Sequence, residues 1–307
     1  MPPNGSRPRC CASTSSPVSS RLALGTVRFG MPYGIDNHAP MVSLQEAKSI
    51  VTRARALGFG TLDTAIAYGA SEARLGEIGI DEWRVVSKLP EIPHSCADIG
   101  DWVHEAVLGS LKRLGTTRLY GLLLHEAQQL AGARGNAIYD ALCAVKELRL
   151  VEKIGVSIYA PDDLKDLHPR YRLDLVQSPY NVIDRRLVTS GWLARLSDDG
   201  TEVHARSLFL QGLLLMPAAQ RPANFSRWQP LWNLWESWLT EHGLSAIQGC
   251  LGFALAQPQF KHFVVGVDSV EHLQEIAAGA SVRTAMPPEA LASEDADLVN
   301  PSRWSVN

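Results

Sequence analysis

Thr61-Leu62-Asp63-Thr64-Ala65-Ile66-Ala67-Tyr68-Gly69 is the stretch from which the rest of the chain is read. It follows Gly58-Phe59-Gly60, and its apolar and β-branched content predicts a short buried strand ending near Asp63. A carboxylate at the tip of a buried strand is costly unless a cation meets it. The next strand candidate, residues 83–90, supplies that cation as Lys88. The one after it, residues 120–126, ends in His125. Asp63, Tyr68, Lys88 and His125 thus stand at or just beyond the ends of three successive strand candidates, which marks a site.

Outward from this stretch, the pattern repeats. Residues 22–27 are an apolar run broken at Gly25, a first strand. Residues 43–57 predict a helix capped by Ser43, with Glu46 completing a capping box. A short helix follows over 71–78, and a long amphipathic one over 99–114, with Val103, Ala106, Val107, Ser110, Leu111 and Leu114 on one face. Further helices are predicted over 136–150, 161–167, 186–196, 245–256 and 269–278, and further strands over 151–157, 173–177, 201–207 and 263–266. Eight strands alternating with helices imply parallel βα units, and eight such units in one run imply a closed α/β barrel of the (β/α)8 TIM type. The expected boundaries are a disordered N-terminal arm at 1–20, a single barrel domain at 21–280 and a peripheral tail at 281–307. The first strand is followed by no G-x-G-x-x-G, which counts against a dinucleotide-binding open sheet.

The chain has 307 residues, enough for two ordinary domains or one large barrel, and 46% of them are hydrophobic and 20% charged. A formal net charge of −3 makes no electrostatic case for nucleic acid or an anionic membrane surface. Five cysteines without metal-ligand spacing read as reduced intracellular thiols, and the arm lacks the apolar core of a signal peptide, so the expected location is the cytoplasm. No metal is expected. His204 and His262 lack a partner pattern and read as structural, Cys10-Cys11 is assigned nothing, and Lys112-Arg113 reads as a solvated helix end. Trp228, Trp232, Trp235 and Trp238 stripe one helical face. Burial against the barrel is the first reading of that stripe, and a wall of the substrate pocket is the second.

The four strand-end residues form a chemical set. A phenol beside an ammonium is expected to have its pKa lowered, which eases proton transfer. Asp63 is expected to hold Lys88 charged, and His125 to donate a hydrogen bond that orients a substrate oxygen toward Tyr68. Such a set protonates an oxygen as negative charge develops on it, as carbonyl reduction requires, while the hydride must come from a cofactor.

These residues carry a resemblance. From about 22 to 279 the chain resembles the aldo-keto reductases. Their Asp-Thr-Ala-x-x-Tyr-Gly pattern is matched by Asp63, Thr64, Ala65, Tyr68 and Gly69, and their catalytic lysine and histidine by Lys88 and His125. Their Gly-Val-Ser is Gly155-Val156-Ser157, and their Gln-x-x-Tyr-Asn is Gln177 with Tyr180-Asn181. The resemblance implies reduction of an aldehyde or ketone by a nicotinamide cofactor, in a branch often associated with sugar metabolism. It places the nicotinamide carboxamide on Asp63, Ser157 and Gln177. The remaining cofactor contacts it implies are Gly25 and Thr26 after the first strand, then Arg206, Ser207, Leu208, Leu210, Gln211 and Gly212 around the pyrophosphate. After the eighth strand they are Gly266, Val267, Asp268, Ser269, His272 and Glu275.

The chain also departs from the family. Ile158 stands where an asparagine is usual, and Arg206 where many members stack an aromatic on the nicotinamide. The basic positions that hold an adenosine 2′-phosphate are taken by Asp268 and His272. Family habit implies NADP(H), and these two residues leave NAD(H) as a close alternative. The implied partner is a small carbonyl or alcohol substrate, with the protein a monomer by default. Two other readings stand beside this one. One is a nucleotide-binding sensor or regulatory protein with little turnover. The other is a Schiff-base enzyme using Lys88, which ion pairing makes a poor nucleophile.

Overall fold

In the computed structural model, which describes residues 18–35 and 41–304, eight parallel strands close into a barrel in sequence order. They are β1 (Leu22–Gly25), β2 (Thr61–Asp63), β3 (Arg84–Leu89), β4 (Leu119–Leu124), β5 (Val151–Ser157), β6 (Leu175–Pro179), β7 (Glu202–Arg206) and β8 (His262–Gly266). The last strand returns to the first, from Leu22 beside Phe263 to Gly25 beside Gly266, so the expected (β/α)8 barrel is formed. Most of the expected N-terminal arm, with Cys10 and Cys11, lies outside the described residues. No helix among the described residues is long and apolar enough to cross a membrane.

Strands of this kind are covered on both faces, so they read as near-continuous apolar runs; β1, Leu-Ala-Leu-Gly, is buried throughout. The surrounding helices lay one apolar face on the sheet. Helix α1 (Leu44–Ala56) buries Ala47, Ile50, Val51 and Ala54, and α3 (Ile99–Leu114), which follows α2 (Ser71–Ile78), buries Val103, Val107, Ser110, Leu111 and Leu114. Inside the barrel, the two-residue period of each strand sets what faces the axis. Asp63 and Thr61 share a face on β2, Lys88, Val86 and Arg84 on β3, Ser157, Gly155 and Lys153 on β5, and Arg206, His204 and Glu202 on β7. A small apolar layer of Val86, Leu123 and Leu175 forms its own buried cluster, apart from the main core. Polar side chains therefore gather at both ends of the barrel.

Local signals and tertiary contacts part company at several places. Ser43 caps α1 by accepting from the Glu46 N–H at 3.1 Å, yet Glu46 does not close the expected box. Its Oε1 instead accepts the Val270 N–H at 2.9 Å, at the start of the last long helix, α8 (Val270–Gly279). The helix expected over 186–196 is broken at Gly191, whose φ of +78° splits it into Arg186–Thr189 and a second piece, α5 (Trp192–Asp198); α4 (Gly135–Glu147) precedes them. In the excursion after β7, α6 (Gln229–Glu241) buries Trp232, Trp235 and Trp238. The indole N–H groups of Trp232 and Trp235 donate to the Phe225 and Leu214 carbonyls, and the stripe packs on α7 (Ala246–Leu255) at Gly249, as the burial reading expects. The stretch after 280 carries Leu291, Leu298 and Val299 into the core, and the Ser293 N–H donates to the Ile183 carbonyl at 2.9 Å.

Arg113 is not the solvated helix end that its sequence position suggests. Its Nε and Nη2 reach Glu72 Oε2 at 2.8 and 2.7 Å. Glu72 itself is buried on α2 and also accepts from Ser87 and Ser110 at 2.7 and 2.6 Å. This network ties α2, β3 and α3 together beneath the Tyr68 loop. Arg113→Met leaves a buried carboxylate short of its cation and should cost about 2 kcal/mol in chemical unfolding, on the scale of a lost hydrogen bond to a charged group. A change within 0.5 kcal/mol, ordinary for surface substitutions, would show the network to be dispensable.

Candidate active site

Three strand ends and one loop build the site. Asp63, the last residue of β2, and Lys88, one before the end of β3, are both buried, with Nζ 2.7 Å from Asp63 Oδ1. Lys88 also donates to the Thr64 carbonyl at 2.9 Å, so its ammonium is fixed between side chain and backbone. The other Asp63 oxygen accepts from Gln177 Nε2 at 2.7 Å across the barrel mouth. The Asp63 carbonyl is held in turn by the Thr26 N–H and hydroxyl at 2.9 and 3.0 Å.

Tyr68 lies on the loop leaving β2, and glycines fix that loop. Gly69 takes a φ of +53°, and a Cβ there would run into the backbone of Gly30, while a Cβ on Gly30 would run into the Tyr68 carbonyl. The half-buried Tyr68 ring stands edge-on to His125, with centroids 5.8 Å apart and planes at 75°, and Lys88 Nζ lies 5.3 Å from the phenol's centroid. All four expected catalytic residues are therefore in one place.

The electrostatics differ from the expectation in one respect. The Tyr68 phenol is pushed up, not down: burial dominates and the Asp63 charge adds to it, while Arg206 pulls the other way. The Asp63 carboxylate matches the charge of the ammonium, so burial decides and Tyr68 stays protonated. Burial pulls Lys88 down, against the Asp63 charge that raises it. His125 is pushed down to about 4 by burial, with the Lys88 and Arg206 charges in support, so its imidazole is neutral at ordinary pH.

The expected cofactor contacts fall into groups. Ser157, the last residue of β5, and Gln177, in the middle of β6, are register partners, both buried, and Gln177 Oε1 is a buried acceptor with no partner. The amide of a carboxamide is the donor such an atom lacks, so the residues fit a nicotinamide. Arg206 at the end of β7 does not project freely. It stacks on Tyr159 at 4.8 Å and donates from Nη2 to the Ile158 carbonyl at 2.9 Å and from Nη1 to Ser207 Oγ at 3.2 Å. Beyond it, Ser207, Leu210 and Gln211 take φ values of +58°, +48° and +53°, followed by Gly212 at +95°. Left-handed conformations at non-glycine residues concentrate at functional segments. Leu208, Leu210 and Val267 are buried, as is Thr26, while Gly266, Asp268 and Glu275 are exposed. Gly25 pairs with Asp63 and Gly266, and Asp268 Oδ1 meets His272 Nδ1 at 3.0 Å beside Ser269, whose Oγ accepts the His272 N–H.

Two residues at the mouth were not singled out from the sequence. Tyr159 carries Arg206, and Tyr33, in the loop after β1, accepts from Gln211 Nε2 at 3.3 Å. The position of Tyr159, two residues past the tip of β5, was the available signal. Its partner 47 places on was not.

Residues 21–289 match the aldo/keto reductase family. An uncharacterised oxidoreductase of Bacillus subtilis strain 168, YqkF, is 24% identical over 265 residues, 78% of this chain and 83% of its own. Among solved structures, the aldo-keto reductase AKR11C1 of Bacillus halodurans superposes with a TM-score of 0.69 at 20% identity, covering 88% of each chain. PA4992 of Pseudomonas aeruginosa, whose own assignment to the aldo-keto reductases is provisional, gives 0.63 at 24% identity over 85% of this chain and 89% of that one.

The Asp63–Lys88 pair is testable without any substrate. Lys88→Met should lower unfolding stability by about 3–5 kcal/mol, because it strands a buried carboxylate, and Asp63→Asn in the same chain should restore most of the loss. A double variant as unstable as the single one would refute the coupling.

Proposed function

The chain belongs to the aldo/keto reductase family, and from that premise we propose that it is a nicotinamide-dependent oxidoreductase that reduces an aldehyde or ketone to an alcohol. The observation that carries this reading is the joint placement of Tyr68, His125 and the Asp63–Lys88 pair beside the unpartnered Gln177 Oε1. The bound dihydronicotinamide would supply the hydride. Asp63, Ser157 and Gln177 would hold its carboxamide, and the segment 207–212, left-handed at Ser207, Leu210, Gln211 and Gly212, would lie along its phosphates.

Within this reading, the neutral His125 donates a hydrogen bond to the substrate oxygen and aims it at Tyr68. Tyr68, kept protonated by burial and Asp63, gives up its proton as negative charge builds on that oxygen. Lys88 keeps positive charge near the phenol so that the phenolate left behind is tolerated, and Asp63 holds Lys88 in place. Because Tyr68 is pushed up and His125 down, neither changes charge in the neutral range. Reduction should therefore have a level kcat profile from about pH 5 to 8 as far as these two groups set it, and fall as His125 protonates near 4. Tyr68→Phe should lower kcat for a small aldehyde roughly 100-fold or more while the Kd for the cofactor stays unchanged. Near-normal turnover in that variant would remove Tyr68 from its role.

The chain's own residues favour NAD(H) over the family's usual NADP(H). Where the resemblance places the adenosine, the first N–H of α8 is already met by the Glu46 carboxylate, and Asp268 adds a second one nearby, with the Arg28 charge felt at Asp268 as partial compensation. A helix N-terminus ordinarily welcomes a phosphate, but two carboxylates there repel it. Fluorescence titration should give a lower Kd for NADH than for NADPH. Glu46→Gln and Asp268→Ser should each move the ratio toward NADPH by roughly threefold to fivefold, the size of a charge effect at a helix end. A ratio favouring NADPH in the unaltered protein would reverse the assignment.

A further inference from the structure

The end of the barrel opposite Tyr68 opens on a cleft of about 690 Å³ that the reductase reading does not use. Its walls gather basic side chains from distant parts of the chain: Arg21 before β1, Arg84 at the start of β3, Lys153 on β5 and Lys261 just ahead of β8. Glu202 is the one carboxylate among the lining residues. It is already held, by His204 Nε2 at 2.7 Å, by the Tyr120 hydroxyl at 2.8 Å and by Lys153. Arg21 commits its guanidinium to the carbonyls of Leu255, Gln257 and Phe260, where α7 ends. The chain as a whole carries a net charge of −3, so this gathering of cations is local and not a matter of composition.

Two of the cations have no countercharge. The exposed side chains of Arg84 and Lys261 make no ion pair or hydrogen bond with the described residues. Arg84 lies instead over the Tyr120 ring, 5.3 Å from its centroid. A guanidinium stacked on an aromatic is oriented while its N–H donors stay available. His262 belongs to the same wall; its Nε2 meets Thr61 Oγ1 at 3.3 Å, and its buried Nδ1 has no partner. Burial pushes this imidazole down to about 3, with His204, Arg84 and Lys261 acting in the same direction, so both unmatched cations are felt at one point of the wall.

We propose that this cleft binds a phosphate group, free or esterified to a small molecule, with Arg84 gripping two of its oxygens and Lys261 supplying a second positive charge. The planar guanidinium fork matches phosphate oxygens in pairs, and an ammonium adds a compact point charge. A phosphate dianion would neutralise the two cations that the protein leaves unmatched. The cleft is larger than a bare phosphate ion, and Val203, Pro258 and Phe260 in its wall leave room for an organic body. This site and the reductase mouth lie at opposite ends of the barrel, so each stands without the other.

Isothermal titration of the full-length protein at low ionic strength, with sodium phosphate and separately with glycerol 3-phosphate, should show saturable binding of one anion per chain that weakens as sodium chloride is added. Tighter binding of the ester would identify an organic phosphate as the ligand, and tighter binding of the inorganic ion the free anion. Arg84→Met and Lys261→Met should each weaken binding roughly 10- to 100-fold, as loss of a charged hydrogen bond does. Arg84→Lys, which keeps the charge without the fork, should recover only part of that loss. Both side chains are exposed, so these variants should keep the unfolding midpoint of the unaltered protein. Binding that survives both methionine variants would place the anion elsewhere, and heats that never saturate would reduce the cleft to a screened cluster of charge. Either result would overturn the proposal.

Discussion

A carboxylate and an ammonium buried side by side at one end of a parallel barrel set the terms for everything around them. Neither Asp63 nor Lys88 is tolerable alone in that position, and at 2.7 Å they neutralise one another without leaving the interior. The remaining valences are then filled in order. Lys88 takes the Thr64 carbonyl, Asp63 takes the Gln177 amide, and Thr26 holds the Asp63 backbone. Each of these contacts joins a different strand end or loop to the pair. Gln177, fixed by its amide nitrogen, is left with a buried oxygen that has no partner.

The same pair governs the chemistry of its neighbours. A lone cation beside Tyr68 would favour the phenolate; a cation already matched by a carboxylate does not, and burial then keeps the phenol protonated. His125 feels burial and the surplus positive charge of Arg206, and stays neutral. An acid that retains its proton and a hydrogen-bond donor that retains its neutrality are the two components that protonation of a carbonyl oxygen needs. The support is rigid for physical reasons: two glycine backbones in contact fix the Tyr68 loop, and the Glu72–Arg113 network braces the helix that follows it.

The barrel interior is polar at both ends and apolar between. Val86, Leu123 and Leu175 separate the layer of Asp63, Lys88 and Gln177 from the layer of Lys153, Glu202, His204 and His262. The two-residue period puts both layers on the same inward faces, since Lys88 and Arg84, Ser157 and Lys153, and Arg206 and Glu202 are each four positions apart on one strand. In this fold the chemistry concentrates at the C-terminal strand ends. The second layer at the other end, where His204 Nε2 meets Glu202 and His262 Nε2 meets Thr61, therefore stands apart from that chemistry.

Periodicity and strand-end placement determined the barrel, the order of its strands and the four residues Asp63, Tyr68, Lys88 and His125, because those features depend on neighbours in the chain. Residues 99–114 and 151–157 match their observed elements end to end, since caps and breakers act locally. Tertiary structure alone decided which partner each polar group chose. Ser43 kept its local cap, but Glu46 left the box for the N–H of Val270, 224 positions away. Arg113 left solvent for a buried carboxylate on another helix, and Arg206 found Tyr159 across two strands. His204 and His262 acquired a partner pattern only when the closing of the sheet set β7 beside β8. A buried donor or acceptor must be satisfied by whatever lies within about 3 Å, and closure of the barrel fixes what that is.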